Sequence, residues 1–227
     1  MGGLNPLDRP VWASLTGAHA HLALGDDKAR RYRPEVNAFV AGPDERPETL
    51  AAMAALVEPE ESVFVVQADP IPDLPDLAVH LRRLAVQMVF AGEQPDGGEA
   101  EIAPLAEADT EEMLALATLT EPGPFRRDTR LMGRFAGVKR DGGLAAMAGE
   151  RMHPPGHVEL SGVCTHPDFR GHGLATRLSA HVTRAILGRG ETPFLHAWKD
   201  NADAIALYEK LGYRIRCEMN VAVFERP

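Results

Sequence analysis

At 227 residues, 44% of them hydrophobic and 25% charged, the chain suits one large globular domain or two small lobes sharing a core. Its net charge of −9 argues against a nucleic-acid partner, which needs a basic face, and is compatible with a cationic amine. No apolar run reaches the ~18 residues of a membrane-spanning helix, so no membrane partner is expected.

The cysteines, Cys164 and Cys217, are too few for a disulfide framework. The start, Met1-Gly2-Gly3-Leu4-Asn5-Pro6, carries neither a secretory signal nor a myristoylation pattern. A reducing cytoplasm is the expected compartment.

In chain order, apolar spacing at Leu50, Met53, Ala54 and Val57 predicts a helix over 47–57. The β-branched run 62–67 predicts a buried strand, and 85–90 another. Between them Pro70, Pro72 and Pro75 enforce a loop. A polar, Gly/Pro-bearing linker at 91–101 then separates an N-terminal α/β lobe, residues 1–98, from a second domain, residues 99–227. There a strand at 101–105 leads to a helix over 110–119 capped by Thr110, with a second helix expected over 125–135. Strands near 136–139 and 143–151 form a hairpin about Asp141-Gly142-Gly143. Residues 157–165 follow as a strand. Leu174, Leu178, Val182 and Ile186 mark one face of a strong helix over 174–187, ended by Gly188 and Gly190. A strand at 194–198, a helix over 202–211 stopped by Gly212, and closing strand structure at 213–224 complete a layered α/β or α+β fold on a mixed sheet.

The most informative stretch is Thr165-His166-Pro167-Asp168-Phe169-Arg170-Gly171-His172-Gly173-Leu174-Ala175-Thr176. Pro167 stops the strand ladder, and two glycines open a helix whose first N–H groups lack intrahelical partners. Those donors and the positive end of the helix dipole suit a phosphate, with Arg170 adding charge at the edge. A nucleotide P-loop would need a following Gly-Lys-Ser/Thr, and a dinucleotide loop a third glycine where Thr176 stands, so neither applies. From the loop alone, a tight turn without ligand stays open.

Arg170-Gly171-His172-Gly173-Leu174-Ala175 resembles the Arg/Gln-x-x-Gly-x-Gly/Ala pyrophosphate loop of the GNAT superfamily of N-acetyltransferases. Downstream, Asn201 through Tyr208 to Gly212-Tyr213 is similar to that family's second signature, in the expected order. The resemblance covers about 99–227, and the first half more distantly resembles the extra lobe of the FR47-like, glycine-N-acyltransferase-like branch.

The resemblance implies the GNAT acyl-CoA N-acyltransferase fold with an extra N-terminal α/β lobe. It also implies transfer of an acetyl or other short acyl group from coenzyme A to a primary amine, by direct attack in a ternary complex. Backbone N–H groups of Gly171, His172, Gly173, Leu174, Ala175 and Thr176, with Arg170 beside them, would hold the pyrophosphate of acetyl-CoA. Val163, Cys164 and Thr165 would pair with its pantetheine arm, and Asn201 would contact the same region while capping its helix. Tyr208 is the candidate general acid for the leaving thiolate.

Glu159 is the candidate general base. Strict alternation places it on one strand face with Ser161, Val163 and Thr165, and places Cys164 on the other, in a packing role. The histidines His153, His157, His166 and His172 lack the paired spacing of a zinc site, and no metal is expected. In the phosphate loop, the rings of His166 and His172 could meet phosphate instead. The acceptor would be a small-molecule or peptide amine, and a homodimer is left open. A catalytically silent acyl-CoA-binding or regulatory module is the alternative, disfavoured by the joint presence of Glu159, Asn201 and Tyr208.

Overall fold

The computed structural model describes residues 5–95 and 101–227. The expected linker at 91–101 and the boundary after residue 98 therefore lie partly outside the described residues.

Helix α1 (Pro10–Leu15) starts on a proline, whose missing N–H costs nothing in a first turn. Strands β1 (Ala23–Gly25), β2 (Arg30–Tyr32) and β3 (Val40–Ala41) form a small antiparallel sheet. Helix α2 (Pro47–Ala55) and strand β4 (Ser62–Gln67) follow where the sequence pattern placed them. Strand β5 (Ala78–Phe90) is longer than predicted, because residues 78–84 are exposed and carry no buried-strand pattern.

After the gap come β6 (Ala103–Leu105), α3 (Thr110–Thr120), β7 (Phe135–Arg140), β8 (Gly143–Glu150), β9 (His157–Thr165) and α4 (Leu174–Leu187). Strand β10 (Thr192–Trp198), helix α5 (Ala202–Lys210) and the 13-residue strand β11 (Tyr213–Glu225) close the chain. Asp141 and Gly142 both take positive φ, 51° and 83°, and close the β7–β8 hairpin between paired Arg140 and Gly143.

Two expectations need correction. Thr110 does not cap α3: its hydroxyl bonds to the Glu107 carbonyl, and Asp109 instead accepts from the Ala106 N–H. Residues 125–135 form no α-helix but a loop with one 3₁₀ turn at Thr129–Met132, and Phe135 opens β7. Tertiary contacts win there over local apolar spacing. The Asn37 amide donates to the Pro124 carbonyl at 3.2 Å, the Asp128 N–H to the Glu35 carbonyl at 2.9 Å, and the Thr129 hydroxyl to the Val36 carbonyl at 2.7 Å.

One eight-stranded sheet, ordered β4-β11-β5-β10-β9-β8-β7-β6, organises the molecule. Strands β4 and β5 of the first half pair with β11 and β10 of the second, so both halves build one sheet. Every pairing in it is antiparallel except β9–β10. On one face, Leu174, Leu178, Val182 and Ile186 of α4 pack with Val158, Leu160, Leu195 and Tyr213, and α5 packs alongside. Against the other face lie α1 and the N-terminal strands, through Val11, Tyr32, Phe39, Phe194 and Met219. Helix α3 covers the far end with Met113, Leu116, Phe135 and Met147. No helix among the described residues is long and apolar enough to cross a membrane.

Where α1 docks, the Ser14 hydroxyl accepts from the His153 N–H, and the ring of His19 lies 4.8 Å from that of His153. His19 is 3% exposed and its Nδ1 bonds to the Tyr32 hydroxyl at 2.8 Å. Burial, aided by repulsion from His153, brings its pKa down to about 3. The unfolded chain therefore takes up a proton below the ordinary histidine pKa of about 6.5 that the folded chain refuses, so stability falls as pH falls through that window. From these two values the loss between pH 7 and 5 is about 2 kcal/mol, or roughly 4–8 °C in melting temperature at this size. Thermal melts of His19→Gln should show a correspondingly smaller drop. An unchanged drop would remove His19 as its source.

Candidate active site

The site is built where β9 and β10 part. They pair in parallel at Thr192–His157, Pro193–Val158 and Phe194–Glu159, and no further pairing between them occurs among the described residues. Beyond Phe194, β10 follows β5 instead, down to Trp198 opposite Ala85. The edge of β9 from Ser161 to Thr165 is thus left without a ladder partner, beside a wedge-shaped opening. Unpaired strand edges are ready-made donors and acceptors for an extended ligand.

At the C-terminal end of that opening lies a cleft of about 620 Å³. Its walls include Val163, Cys164, Thr165, Arg170, Gly171, Gly173, Leu174, Ala175, Thr176 and Asn201, which are all but one of the cofactor-binding residues expected from sequence. The exception is His172, whose Nδ1 is held 3.1 Å from the Phe169 carbonyl. His166 is likewise tied down, its Nδ1 accepting from the Asp168 N–H. Each ring thus has its Nδ1 engaged by the chain itself.

Gly171 and Gly173 have φ of 81° and 70°, a region open to glycine at little cost. A Cβ at either would meet nothing within 4 Å, so the backbone conformation, not crowding, selects glycine. The first helical bond runs from the Arg177 N–H to the Gly173 carbonyl, which leaves the N–H groups of the first turn free of intrahelical partners. The Thr165 hydroxyl, bordering the same cleft, is buried without a hydrogen-bond partner among the described residues. This donor set, at the positive end of a 14-residue helix, fits a diphosphate.

Asn201, Val163 and Thr120 also border a second pocket, of about 330 Å³. Asn201 caps α5, its side chain accepting from the Ala204 N–H at 3.1 Å. Tyr208 lines this pocket two turns later, with its ring edge-on to Tyr213. Burial pushes its pKa up to about 12, and its hydroxyl has no hydrogen-bond partner among the described residues. The opposite wall comes from the first half of the chain: Phe39, Phe64, Val66 and Ala85, with Trp198 and Val221 beside them.

The family model for FR47-like proteins matches residues 136–222. A solved GNAT-family chain from Novosphingobium aromaticivorans is 41% identical, over 98% of this chain and 99% of its own, with a TM-score of 0.92. The chain belongs to the GNAT family of N-acetyltransferases. A curated acetyltransferase of Pectobacterium atrosepticum is 42% identical over 50 residues, which are 21% of this chain and 35% of that protein. The match thus spans only about a third of the curated relative. An N-acetyltransferase from Kribbella flavida, 18% identical, shares the fold over 97% of this chain and 96% of its own, with a TM-score of 0.64.

In this GNAT chain, β9 departs from simple alternation. Met147 and Gly149 of β8 sit opposite Cys164 and Ser161, so three steps on β9 face two on β8, and Gly162 takes φ of 61°. The extra residue is a β-bulge, and it re-phases the strand. Val158, Leu160 and Val163 pack toward α4, whereas Cys164 joins the α3 cluster. Glu159 therefore shares a face with Cys164, not with Val163, reversing the predicted arrangement. Cys164 does pack in a core, and burial pushes its thiol up to about 11, which leaves it a poor nucleophile.

Glu159 itself is fully buried. Its carboxylate accepts from Arg151 Nε at 2.8 Å, Arg151 Nη2 at 2.7 Å, His196 Nδ1 at 2.7 Å and the Met152 N–H at 3.2 Å. Burial alone would raise its pKa, but attraction to Arg151 and the hydrogen bonds from Arg151 and His196 outweigh that and hold the carboxyl well below the usual range.

The chain of contacts continues. His196 Nε2 lies 3.0 Å from Gln87 Nε2, which also donates to the Leu7 carbonyl, while Gln87 Oε1 accepts from Arg216. Those bonds orient the Gln87 amide, so His196 is the Nδ1–H tautomer accepting at Nε2. Arg151 and His196 face the second pocket. Sequence reasoning missed both, and Gln87 as well. The only available signal was His196 in a strand two residues before Trp198.

Proposed function

We propose that this chain transfers a short acyl group from a coenzyme A thioester to a primary amine, by direct attack while both are bound. The observation that carries this reading is the unpaired edge of β9, which runs from the Gly171–Thr176 donors to the pocket holding Tyr208. Acetyl-CoA, when bound, supplies an acyl group already activated as a thioester.

The loop N–H groups hold the diphosphate, with Arg170 at its rim. The open edge at Val163–Thr165 pairs with the pantetheine arm, and Asn201 borders its path. A backbone N–H at the bulge polarises the thioester carbonyl. The pocket between Tyr208 and the Phe39–Phe64 wall receives the acceptor, and its apolar lining favours an amine on a carbon-rich body.

Tyr208 acts on the leaving sulfur. With a phenol near 12 and a thiol near 8.5, complete proton transfer is uphill by about 5 kcal/mol, so its hydroxyl works chiefly by donating a hydrogen bond to the developing thiolate. Glu159 is a positioning residue. Its two oxygens are already saturated, and a carboxylate of such low basicity accepts a proton poorly from an ammonium. It fixes Arg151 and His196 against the pocket, and the proton leaves through water.

The test is thiol release from acetyl-CoA across a panel of primary amines. Tyr208→Phe is expected to lower kcat about 10- to 100-fold with coenzyme A affinity changed less than about twofold, because the ring still packs while the donor is lost. Equal turnover would remove Tyr208 from the mechanism. Binding of acetyl-CoA without turnover on any amine would favour a silent binding module.

A further inference from the structure

We infer that the chain carries a separate acyl pocket of methyl size, closed by Phe125 and Phe135, which selects acetyl over longer acyl groups. The inference rests on the reading of the β9 edge as the seat of a thioester.

The openings along β9 follow one another in order. The cleft at the phosphate loop reaches Thr165, Cys164 and Val163, and the acceptor pocket begins at Val163. A third and much smaller cavity opens at Gly162 and Ser161, walled by Phe125, Phe135 and Arg151. An arm anchored at the start of α4 and laid along β9 runs from Thr165 back toward Ser161. Its far end therefore arrives at the bulge, where the small cavity begins.

That cavity has about 10 Å³ of room, enough for roughly one water-sized body and so for a methyl group.

The walls are not free to retreat. Phe135 is 5% exposed and wedged between two glycines. A Cβ at Gly149 would stand 2.3 Å from its ring, and one at Gly162 would stand 3.1 Å away. Phe125 meets Phe135 edge-on, with centroids 5.8 Å apart. The loop carrying Phe125 is pinned on either side, by Asn37 at the Pro124 carbonyl and by Thr129 at the Val36 carbonyl. A longer chain would have to displace Phe125 from its edge-on contact with the buried Phe135 or press on the Arg151–Glu159 ion pair. Close-packed interiors resist such insertion.

The test needs no acceptor. Calorimetry measures the affinities of free coenzyme A, acetyl-CoA and hexanoyl-CoA for the full chain and for Phe125→Ala and Phe125→Trp. The wild type is expected to bind hexanoyl-CoA about tenfold or more weakly than acetyl-CoA. Phe125 is only half-buried, so its truncation spares the core. Phe125→Ala should bring the two thioesters within about threefold, and Phe125→Trp should weaken acetyl-CoA while leaving free coenzyme A unchanged. Equal wild-type affinity for both thioesters, or an unchanged ratio in Phe125→Ala, would overturn the acyl pocket and leave the transfer reading standing. Absence of binding by coenzyme A itself would overturn both.

Discussion

Gly173→Glu is expected to weaken coenzyme A binding about 30- to 1,000-fold. The substitution acts through two physical effects at one point. Gly173 holds φ of 70°, where an L-residue costs about 1–2 kcal/mol, so the loop shifts or α4 frays at its first turn. The new carboxylate then sits at the positive end of the helix, where it competes for the same N–H donors and repels a diphosphate. Each effect is worth about 1–2 kcal/mol, and together they reach the stated loss. Gly190 provides the control, because its φ of 79° lies in the same region and a Cβ there also meets nothing within 4 Å. Gly190 follows the far end of α4, so Gly190→Glu shares the backbone strain without touching the cleft. Calorimetry should show near-normal coenzyme A affinity for Gly190→Glu and its collapse for Gly173→Glu. Similar affinities in the two variants would mean that the loop after β9 is not the diphosphate site.

The contrast between these glycines shows what a sequence can and cannot reveal about such a site. Gly171 and Gly173 were legible because the requirement they meet is local: a strand end, a proline and a helix with apolar residues every fourth position fix the turn without help from elsewhere. Asn201 and Tyr208 were legible for the same reason, since capping and helical spacing place both on the cleft side of α5. Features that depend on distant partners were not. Apolar spacing puts Phe125 in a helix, whereas a bond from the Asn37 amide and bonds to the Glu35 and Val36 carbonyls hold its segment as a loop. The bulge at Gly162 arises from the register of β9 against β8, so alternation counted along β9 alone put Glu159 on the wrong face. Arg151 lies just past the end of β8 and His196 on β10, and the two are brought together through Glu159. Likewise, strands β4 and β5 offered no chemistry of their own, yet they complete the wall of the second pocket because β5 inserts between β11 and β10.

The ion pair beneath that wall should dominate stability at neutral pH. Arg151→Met is expected to destabilise the fold by about 3–5 kcal/mol, because it strips the strongest partner from a fully buried carboxylate. Packing of the guanidinium over Phe39, 5.0 Å from the ring centroid, is largely retained by the methionine side chain. The loss should therefore be electrostatic, and its pH dependence has a definite sign. In the wild type Glu159 titrates below its unfolded value, so it contributes stability that is present above about pH 4.5 and lost as pH falls further. Without Arg151, burial is left to act against the charge, and the folded pKa rises above the unfolded one. The variant then loses stability as pH rises through the unfolded pKa, so its deficit against the wild type should shrink on going from pH 7 toward pH 5. Arg151→Met/Glu159→Leu, which removes both charges, should recover more than half of the single-variant loss, since an apolar pair of similar bulk no longer strands a carboxylate. Denaturant melts of the variants at pH 7 and pH 5 measure all of this. A loss below about 1 kcal/mol in Arg151→Met, or a double variant as unstable as the single, would show that Glu159 is relieved by His196 and the Met152 N–H without its arginine.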